Sequence, residues 1–245
     1  MADPIPVVHD EASDLWHRPS VNDLKIIREV ANAYRNLPFE EGDVFLDLGA
    51  HIGAACKLAF LRGAAKAIAV EPDPANIELL RRNTEGLNVQ IIEAAVGDRA
   101  GSTTLYTRAS KPHLSTTVSN EAGREAIEVP MVSLGSLMKF RPTVVKADIE
   151  FDEYNLTKLA SLPSCVRVVA IEIHIRYDLV FDHARQSSGE LTAKRRAALD
   201  MVDSIESQGF KRLAYHIKEY PAQRANDDTG LPPDTASIEG IWERK

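Results

Sequence analysis

The stretch Asp43-Val-Phe-Leu-Asp-Leu-Gly-Ala-His-Ile-Gly53 decides the fold of this chain. Its apolar run, Val44–Leu48, predicts a buried strand, and the glycines that follow predict a turn into a helix. A second apolar run, Ala67–Val70, is followed at once by an acid, Glu71, which comes 22 residues after Gly49. This order of strand, glycine turn, helix and second strand with a terminal acid is typical of doubly wound sheets that bind an adenosine-containing cofactor.

The spacing of the glycines favours S-adenosylmethionine over a dinucleotide. A dinucleotide site needs glycines in the pattern G-x-G-x-x-G, which lets the backbone approach a pyrophosphate. Here Gly49 and Gly53 are present, but His51 occupies the position of the second glycine. The acid two residues before Gly49, Asp47, would repel a pyrophosphate and would suit a ligand that carries an ammonium group and a sulfonium. NAD is therefore the weaker prediction.

The same residues have specific roles in this interpretation. Gly49 lacks a Cβ and would let the backbone approach the methionine part of the ligand, and Gly53 would let the next helix pack closely on the sheet. The carboxylate of Glu71 would accept hydrogen bonds from the ribose hydroxyls. A glycine turn after a strand is also common elsewhere, with Asp47 as an ordinary turn residue, but the second acid favours the cofactor site.

Length and composition narrow the class of protein. The chain has 245 residues, with 29 basic against 36 acidic side chains and a net charge of −7, so its bulk charge disfavours a nucleic-acid partner. Two cysteines fit a reducing compartment, and no apolar stretch is long enough for a membrane helix. We expect a cytoplasmic protein without membrane contact, in which residues 1–20 form a flexible arm and residues 21–245 a single domain.

Apolar periodicity predicts that strands alternate with helices. The predicted strands are Val44–Leu48, Ala67–Val70, Val89–Ala95, Ser102–Tyr106 at an edge, Ile127–Val132, Val144–Ala147, Val166–Ile173, one that opens at Gly209-Phe210, and Ile238–Trp242. The predicted helices are Val21–Leu37, Ala54–Leu61, Pro74–Asn83, Leu134–Phe140, Glu153–Ala160 and Leu191–Gln208. We therefore expect an α/β fold, with a doubly wound, mostly parallel seven-stranded sheet and an N-terminal helix.

A second group of polar residues marks the ends of two later strands. Lys146, Asp148 and Glu150 follow one apolar run, and Glu172 and His174 end the next. Residues two apart on a strand point to the same side, and ligands bind at the carboxyl ends of strands in open α/β sheets. We therefore interpret these residues as the catalytic side of the site.

These residues permit two ways of activating an acceptor. In the first, Asp148 or His174 removes a proton from it, with Glu150 or Glu172 orienting the histidine. In the second, Asp148, Glu150 and His174 hold a divalent cation that lowers the pKa of the acceptor. Some of the neighbouring acids, Asp152 above all, could instead cap the next helix.

The sequence resembles FkbM-type methyltransferases. The resemblance spans roughly Asp43 to His174 and rests on motifs that occur in the order seen in that family: Asp47-Leu-Gly-Ala-His-Ile-Gly53, Glu71-Pro-Asp-Pro74, Ala95-Val-Gly-Asp98, Lys146-Ala-Asp-Ile-Glu150 with Glu153, and Glu172-Ile-His174. The chain departs from the family pattern near the acceptor side, where His51 replaces an asparagine, Phe151 a glycine, Asp152 a small residue and Gly135 a common aspartate.

The resemblance implies a class I, Rossmann-like methyltransferase fold, S-adenosylmethionine as donor, and usually a hydroxyl oxygen as acceptor. The residues expected to bind the cofactor are Asp47, Gly49, Ala50, His51, Gly53, Glu71, Pro72 and Asp98. The residues expected to act in catalysis are Lys146, Asp148, Glu150 and His174.

The sequence therefore predicts an S-adenosylmethionine-dependent O-methyltransferase that acts on a small molecule or natural product. A ribose 2′-O-methyltransferase is the first alternative, because Lys146 and the nearby acids would suit that chemistry. A non-catalytic module that binds S-adenosylmethionine is the second. We expect the acceptor pocket in the long loops 107–126, 174–190 and 218–237, and the residues leave the oligomeric state open.

Overall fold

The computed structural model describes residues 6–19, 21–107, 115, 117, 125–150, 153–154, 156, 162–175, 188–219, 229, 231 and 235–244. Most of the predicted helix Glu153–Ala160 and of the three predicted loops lies outside these residues. Across the described part, no helix has both the length and the apolar character needed to cross a membrane.

Strands and helices alternate along most of the chain. The strands are β1 (Val8–Asp10), β2 (Leu15–His17), β3 (Val44–Leu48), β4 (Lys66–Val70), β5 (Val89–Ile92), β6 (Ala95–Gly97), β7 (Gly101–Thr107), β8 (Glu125–Ser133), β9 (Val144–Ala147), β10 (Val168–His174), β11 (Lys211–Glu219) and β12 (Thr235–Glu243). The helices are α1 (Asp23–Ala33), α2 (Ala54–Leu61), α3 (Pro74–Asn83), α4 (Leu134–Leu137), which continues as the 3-10 turn Met138–Phe140, and α5 (Ser188–Ser207).

The main sheet has seven strands in the order β11-β12-β10-β9-β3-β4-β5. Strand β12 runs antiparallel to both of its neighbours, whereas β10, β9, β3, β4 and β5 pair in parallel. The order reverses beside β3, which is where a ligand crevice opens at the carboxyl ends of the strands. The predicted doubly wound, mostly parallel seven-stranded sheet is confirmed.

Side chains alternate between the two faces of the sheet, and each face has its own core. Phe45 of β3 packs in a cluster with Cys56 of α2 and Leu80 of α3. Its neighbour Leu46 points the other way, into a cluster that includes Met201 of α5. Helices on both faces therefore hold β3 in the centre, and they fix the position of the turn that follows it.

The N-terminal region differs from the predicted flexible arm. Strands β1 and β2 form an antiparallel hairpin, and Leu15 packs in a cluster with Ile27 and Ile52. Arg18 is also buried, with 3% of its surface exposed, because its guanidinium pairs with Asp23 of α1. The hairpin and the ion pair depend on specific backbone and side-chain contacts, which composition alone does not indicate.

The predicted strand Val89–Ala95 is divided in the structure. Strand β5 ends at Ile92, whose carbonyl accepts hydrogen bonds from the N–H groups of Glu71, at 3.1 Å, and Ala94, at 3.0 Å. The chain turns there, and β6 joins a separate three-stranded sheet in the order β6-β8-β7. The predicted edge strand Ser102–Tyr106 lies within β7 of that sheet.

Candidate functional site

A cleft lies at the carboxyl ends of β3, β4 and β9. It contains about 710 Å³ of space free of protein atoms, counting the part that is open to solvent. Helix α1, the turn after β3, the acid after β4 and the segment after β9 all contribute to its walls. The lining residues are Ile26, Gly49, His51, Val70, Glu71, Pro72, Asn76, Ala94, Ala95, Val96, Leu105, Ser115, Thr117, Asp148, Ile149 and Glu150.

Gly49 brings two strand ends into direct contact. Its φ is +77°, and a Cβ at this position would lie 2.0 Å from the backbone oxygen of Asp148. Its N–H donates to the carbonyl of Val70 at 3.0 Å. Only a glycine leaves room for the turn after β3 to touch the end of β9 in this conformation.

Glu71 is buried at the floor of the cleft, and both of its carboxylate oxygens are held by N–H groups. Oε2 accepts a hydrogen bond from the backbone of His51 at 2.9 Å. Oε1 accepts from the backbone of Asp73 at 3.0 Å and from the Asn76 side chain at 3.1 Å. Burial raises the pKa of Glu71 to about 7, against the effect of these donors. The carboxylate is thus fixed in place and poised near neutral pH.

One wall of the cleft is apolar. It is formed by Ala94, Ala95 and Val96 around the start of β6, and by Leu105 of β7. All four residues are buried. A flat, uncharged ring fits such a wall better than a charged group does.

Asp47 and Lys146 lie behind the cleft rather than in it. Lys146 Nζ lies 3.0 Å from Asp47 Oδ1 and 2.9 Å from the carbonyl oxygen of Gly49. The thiol of Cys56 donates to Asp47 Oδ2 at 3.3 Å. Burial alone would lower the pKa of Lys146, but Asp47 and Asp148 raise it. The structure thus places both residues outside the lining of the cleft, whereas the sequence predicts that Asp47 binds the cofactor and that Lys146 acts in catalysis.

Four of the predicted cofactor residues line the cleft, namely Gly49, His51, Glu71 and Pro72. Ala50 is buried and is not part of the lining. Gly53 faces helix α3, where a Cβ would lie 2.9 Å from Leu80 Cδ1, so it serves helix packing. Asp98 is exposed in the turn after β6, 3.7 Å from the guanidinium of Arg99. The structure does not bring Ala50, Gly53 or Asp98 to the cleft.

Three of the four predicted catalytic residues, Asp148, Glu150 and His174, lie close together at the ends of β9 and β10, and of these Asp148 and Glu150 line the cleft. His174, at the end of β10, has Nδ1 3.1 Å from Glu153 Oε1. Its Nε2 lies 3.6 Å from Glu172 and 3.7 Å from Glu150. Glu153 is fully buried, and the same Oε1 accepts the N–H of Ile149 at 3.0 Å. Three carboxylates therefore surround one imidazole.

This crowding of charges shifts the pKa values in opposite directions. Burial would lower the pKa of His174, but the neighbouring carboxylates raise it well above its usual value. Burial raises the pKa of Glu150 to about 8 and also raises that of Asp148. Burial would raise the pKa of Glu172 as well, but His174 and Lys218 lower it to about 2. The cluster therefore contains a charged imidazolium beside Glu150, whose carboxyl group is largely protonated near neutral pH.

The sequence predicts one possible set of metal ligands, and it consists of Asp148, Glu150 and His174. Each provides one ligand atom, and these three atoms lie within 4.8 Å of one another. Two oxygens and one imidazole nitrogen suit a divalent cation such as Mn²⁺ or Zn²⁺. Bound metal would require the neutral imidazole, so a cation and the proton on His174 would compete for the same nitrogen.

The structure places several residues in or beside the cleft that the sequence does not predict as site residues. Asn76 comes five residues after Glu71 and holds its Oε1, and a polar residue on the first turn of the helix after that acid is the signal that could have shown it. Glu153 holds His174 from a position that also reads as a helix cap. Ile26 and the apolar wall have no signal beyond hydrophobicity.

Comparisons with known proteins find similar structures but no similar sequences. No protein-family model matches the chain, and no curated protein matches it significantly. An FkbM methyltransferase from Methylobacillus flagellatus aligns at 14% identity with a TM-score of 0.44, covering 95% of this chain and 48% of its own. TYW2 of M. jannaschii, solved with AdoMet, aligns at 12% identity with a TM-score of 0.46, covering 100% and 89%.

A third solved structure, the C-terminal domain of precorrin-6Y C5,15-methyltransferase from Rhodobacter capsulatus, aligns at 12% identity with a TM-score of 0.45, covering 89% of each chain. Similarity at this level identifies neither a substrate nor a reaction, and the resemblance to FkbM-type methyltransferases stays a prediction. The chain has the Rossmann-like, class I methyltransferase fold. This conclusion rests on the order and directions of the seven strands and on the helices that cover both faces of the sheet.

Proposed function

We propose that this protein is an S-adenosylmethionine-dependent methyltransferase that methylates a hydroxyl oxygen of a small molecule. The observation that carries the proposal is the charge of the cleft. Its described lining includes Glu71 at one end and Asp148 and Glu150 at the other, and no lysine or arginine. A cleft with this lining suits a cationic ligand and disfavours a pyrophosphate.

The donor fits the cleft group by group. Glu71 would accept hydrogen bonds from the ribose hydroxyls, and the apolar wall formed by Ala94, Ala95, Val96 and Leu105 would take the adenine. The sulfonium, a charge that S-adenosylhomocysteine lacks, would then lie toward Asp148, where negative charge stabilises it. Holding donor and acceptor in line accounts for roughly 7–11 kcal/mol of the barrier to methyl transfer.

Asp148 is the residue that we assign as general base toward the acceptor hydroxyl. It lines the cleft, and its raised pKa makes it a stronger base than an exposed aspartate. His174 would instead position and balance the carboxylates, because an imidazole that already holds its proton cannot accept another. Of the two candidate bases that the sequence indicates, Asp148 and His174, we therefore propose Asp148.

A divalent cation held by Asp148, Glu150 and His174 is the other way to activate the hydroxyl, since it would lower the pKa of the acceptor. One experiment, the measurement of turnover in the presence of EDTA, distinguishes the two mechanisms. Turnover that survives EDTA supports the base mechanism, whereas turnover that EDTA abolishes and Mn²⁺ or Mg²⁺ restores assigns activation to the cation.

The structure weakens the support for a ribose 2′-O-methyltransferase. Lys146 is 3% exposed and is occupied by Asp47 and Gly49, so it does not reach an acceptor in the cleft. The net charge of −7 also disfavours a long RNA substrate. A small, neutral or cationic acceptor is the class that we propose.

The test is calorimetric titration of the chain with S-adenosylmethionine, S-adenosylhomocysteine and NAD. We expect micromolar binding of the first two and none of NAD. Glu71→Ala should weaken binding by about 100-fold or more, because a charged acceptor for two hydroxyls is lost. The matched control is Glu78→Ala, which removes an exposed carboxylate of α3 and should leave binding unchanged. Binding of NAD alone, or equal binding by both variants, would contradict the proposal.

A further inference from the structure

A buried ion pair ties the N-terminal region to the candidate site. Arg18 donates through Nε to Asp23 Oδ2 at 2.8 Å and through Nη2 to Asp23 Oδ1 at 3.0 Å. Arg18 is 3% exposed and Asp23 is fully buried. Burying two charges is costly unless their partners are well placed, so this pair calls for an explanation beyond the anchoring of a hairpin.

The pair reaches two of the three residues that hold the carboxylate of Glu71, one at each of its oxygens. On one side, Arg18 Nη2 donates to Asn76 Oδ1 at 2.8 Å, and Asn76 Nδ2 donates to Glu71 Oε1 at 3.1 Å. On the other side, Asp23 Oδ1 lies 3.5 Å from His51 Nε2, and the backbone of His51 donates to Glu71 Oε2 at 2.9 Å. Both oxygens of Glu71 are therefore one residue removed from the ion pair.

The hairpin and α1 are also attached to the same part of the fold. The N–H of Trp16 donates to Asn83 Oδ1 at 2.7 Å. Asn83 Nδ2 in turn donates to the carbonyls of Trp16, at 3.0 Å, and Ile52, at 2.7 Å. Ile26, one turn after Asp23, lines the cleft itself. Contacts to α3 and to the turn after β3 thus hold the N-terminal segment over the cofactor end of the cleft.

We infer that residues 8–19 and 21–33 complete the cofactor site and that Arg18 is a positioning residue for Glu71. The guanidinium fixes the amide of Asn76 so that its N–H group points at the carboxylate, while Asp23 restrains His51. This inference rests on the proposed function, because the ligand that Glu71 would bind is the ribose of S-adenosylmethionine. A purely structural role for the pair would stabilise the fold without acting through Glu71.

A double-mutant cycle distinguishes the two roles. The dissociation constant of S-adenosylhomocysteine is measured for the wild type, Arg18→Met, Glu71→Ala and the double variant, with ligand-observed NMR for the weak binders. We expect Arg18→Met to weaken binding about tenfold in the wild-type background and by less than about twofold in the Glu71→Ala background. A change of less than about twofold in the first background, or an equal tenfold loss in both, would overturn the inference.

The matched control is Arg167→Met. Arg167 is a mostly buried arginine paired with a buried aspartate, Asp43, at 2.7 Å, near the amino ends of the strands. Its loss should leave the dissociation constant within about twofold of the wild type. If Arg18→Met does not fold, Arg18→Lys replaces it in the same cycle under the same criteria, because it keeps a positive charge beside Asp23 and removes the guanidinium N–H group that holds Asn76. A folded wild type that does not bind S-adenosylhomocysteine would overturn the proposed function and this inference together, whereas a wild type that binds, with only the Arg18 effect missing, would overturn the inference alone.

Discussion

The two ends of the cleft hold their acidic groups in different ways. We call the end that contains Glu71, where we propose that the cofactor binds, the donor end, and the end that contains Asp148 the acceptor end. At the donor end, N–H groups of His51, Asp73 and Asn76, none of which carries a charge, hold Glu71 in place. At the acceptor end, His174 lies within 3.7 Å of three carboxylates. The first arrangement is built from backbone and amide dipoles, and the second from opposing charges.

We propose that one end of the cleft serves binding of the cofactor and the other serves the chemical step. Neutral donors fix the position of Glu71 without satisfying its charge, so the carboxylate keeps accepting capacity for hydroxyl groups of a ligand. At the other end, burial raises the pKa of Glu150 to about 8, and the neighbouring carboxylates raise that of His174. We therefore expect substitutions at the donor end to change affinity and substitutions at the acceptor end to change turnover.

The largest expected effect is on turnover at the acceptor end. Asp148→Asn removes the assigned base and should lower kcat by about 10²–10⁴-fold. It should leave the dissociation constant of S-adenosylhomocysteine within about threefold of the wild type, because the asparagine keeps the shape of the side chain. Radiolabelled methyl transfer and calorimetry measure the two quantities.

The control for this substitution is Asp98→Asn, an exposed aspartate that resembles a cofactor residue in sequence but lies outside the cleft. It should change neither quantity by more than about twofold. Equal effects of the two substitutions on kcat would remove Asp148 from the role of base.

The next effect concerns the contact that joins the two ends. Gly49→Ala would place a Cβ 2.0 Å from the backbone oxygen of Asp148, and it should lower the free energy of unfolding by about 2–5 kcal/mol. Gly86→Ala is the matched control, since Gly86 has a similar φ of +78° with nothing within 4 Å of its Cβ position. That control should cost about 1–2 kcal/mol. Equal losses in chemical denaturation would show that the close approach of β3 to β9 does not constrain the turn.

The smallest expected effect is a pH dependence at the donor end. Glu71 has a pKa of about 7 because of its burial, and its ionised form is the better acceptor for ribose hydroxyls. Affinity for S-adenosylhomocysteine should therefore be highest above that pKa and fall as the pH drops through it, by about tenfold between pH 8 and pH 6. Glu71→Gln, which cannot ionise, should bind with a flat profile over this range. A wild-type profile as flat as that of the variant would assign the ribose contact to another group.

The sequence predicts the centre of the sheet well. Strands β3 and β9 have the predicted bounds, Val44–Leu48 and Val144–Ala147, because buried parallel strands are continuous apolar runs that end at polar residues. The division between β5 and β6 could not be predicted, since the break at Ile92 depends on hydrogen bonds from Glu71 and Ala94. The apolar residues of the predicted strand Val89–Ala95 do not indicate that its last residue belongs to a different sheet.

In the candidate site, too, the features that depend on local sequence could be predicted and those that depend on distant contacts could not. Glu71 and Asp148 could be located because each follows a strand directly, and parallel strands bring their carboxyl ends together. The burial of Asp47 against Lys146 could not, because it depends on a contact between residues 99 positions apart. Arg18 is the clearest case, since a proline-rich, charged context predicts a flexible arm, and only its partners Asp23 and Asn76 show that it is part of the core.

The most direct test of the account is a crystal structure of the protein with S-adenosylhomocysteine. We predict that both ribose hydroxyls lie within hydrogen-bond distance of the Glu71 carboxylate, that the adenine lies against Ala94, Ala95, Val96 and Leu105, and that the sulfur faces Asp148. A ligand bound outside this cleft, or one bound in it with its ribose away from Glu71, would contradict the division of the cleft into a donor end and an acceptor end.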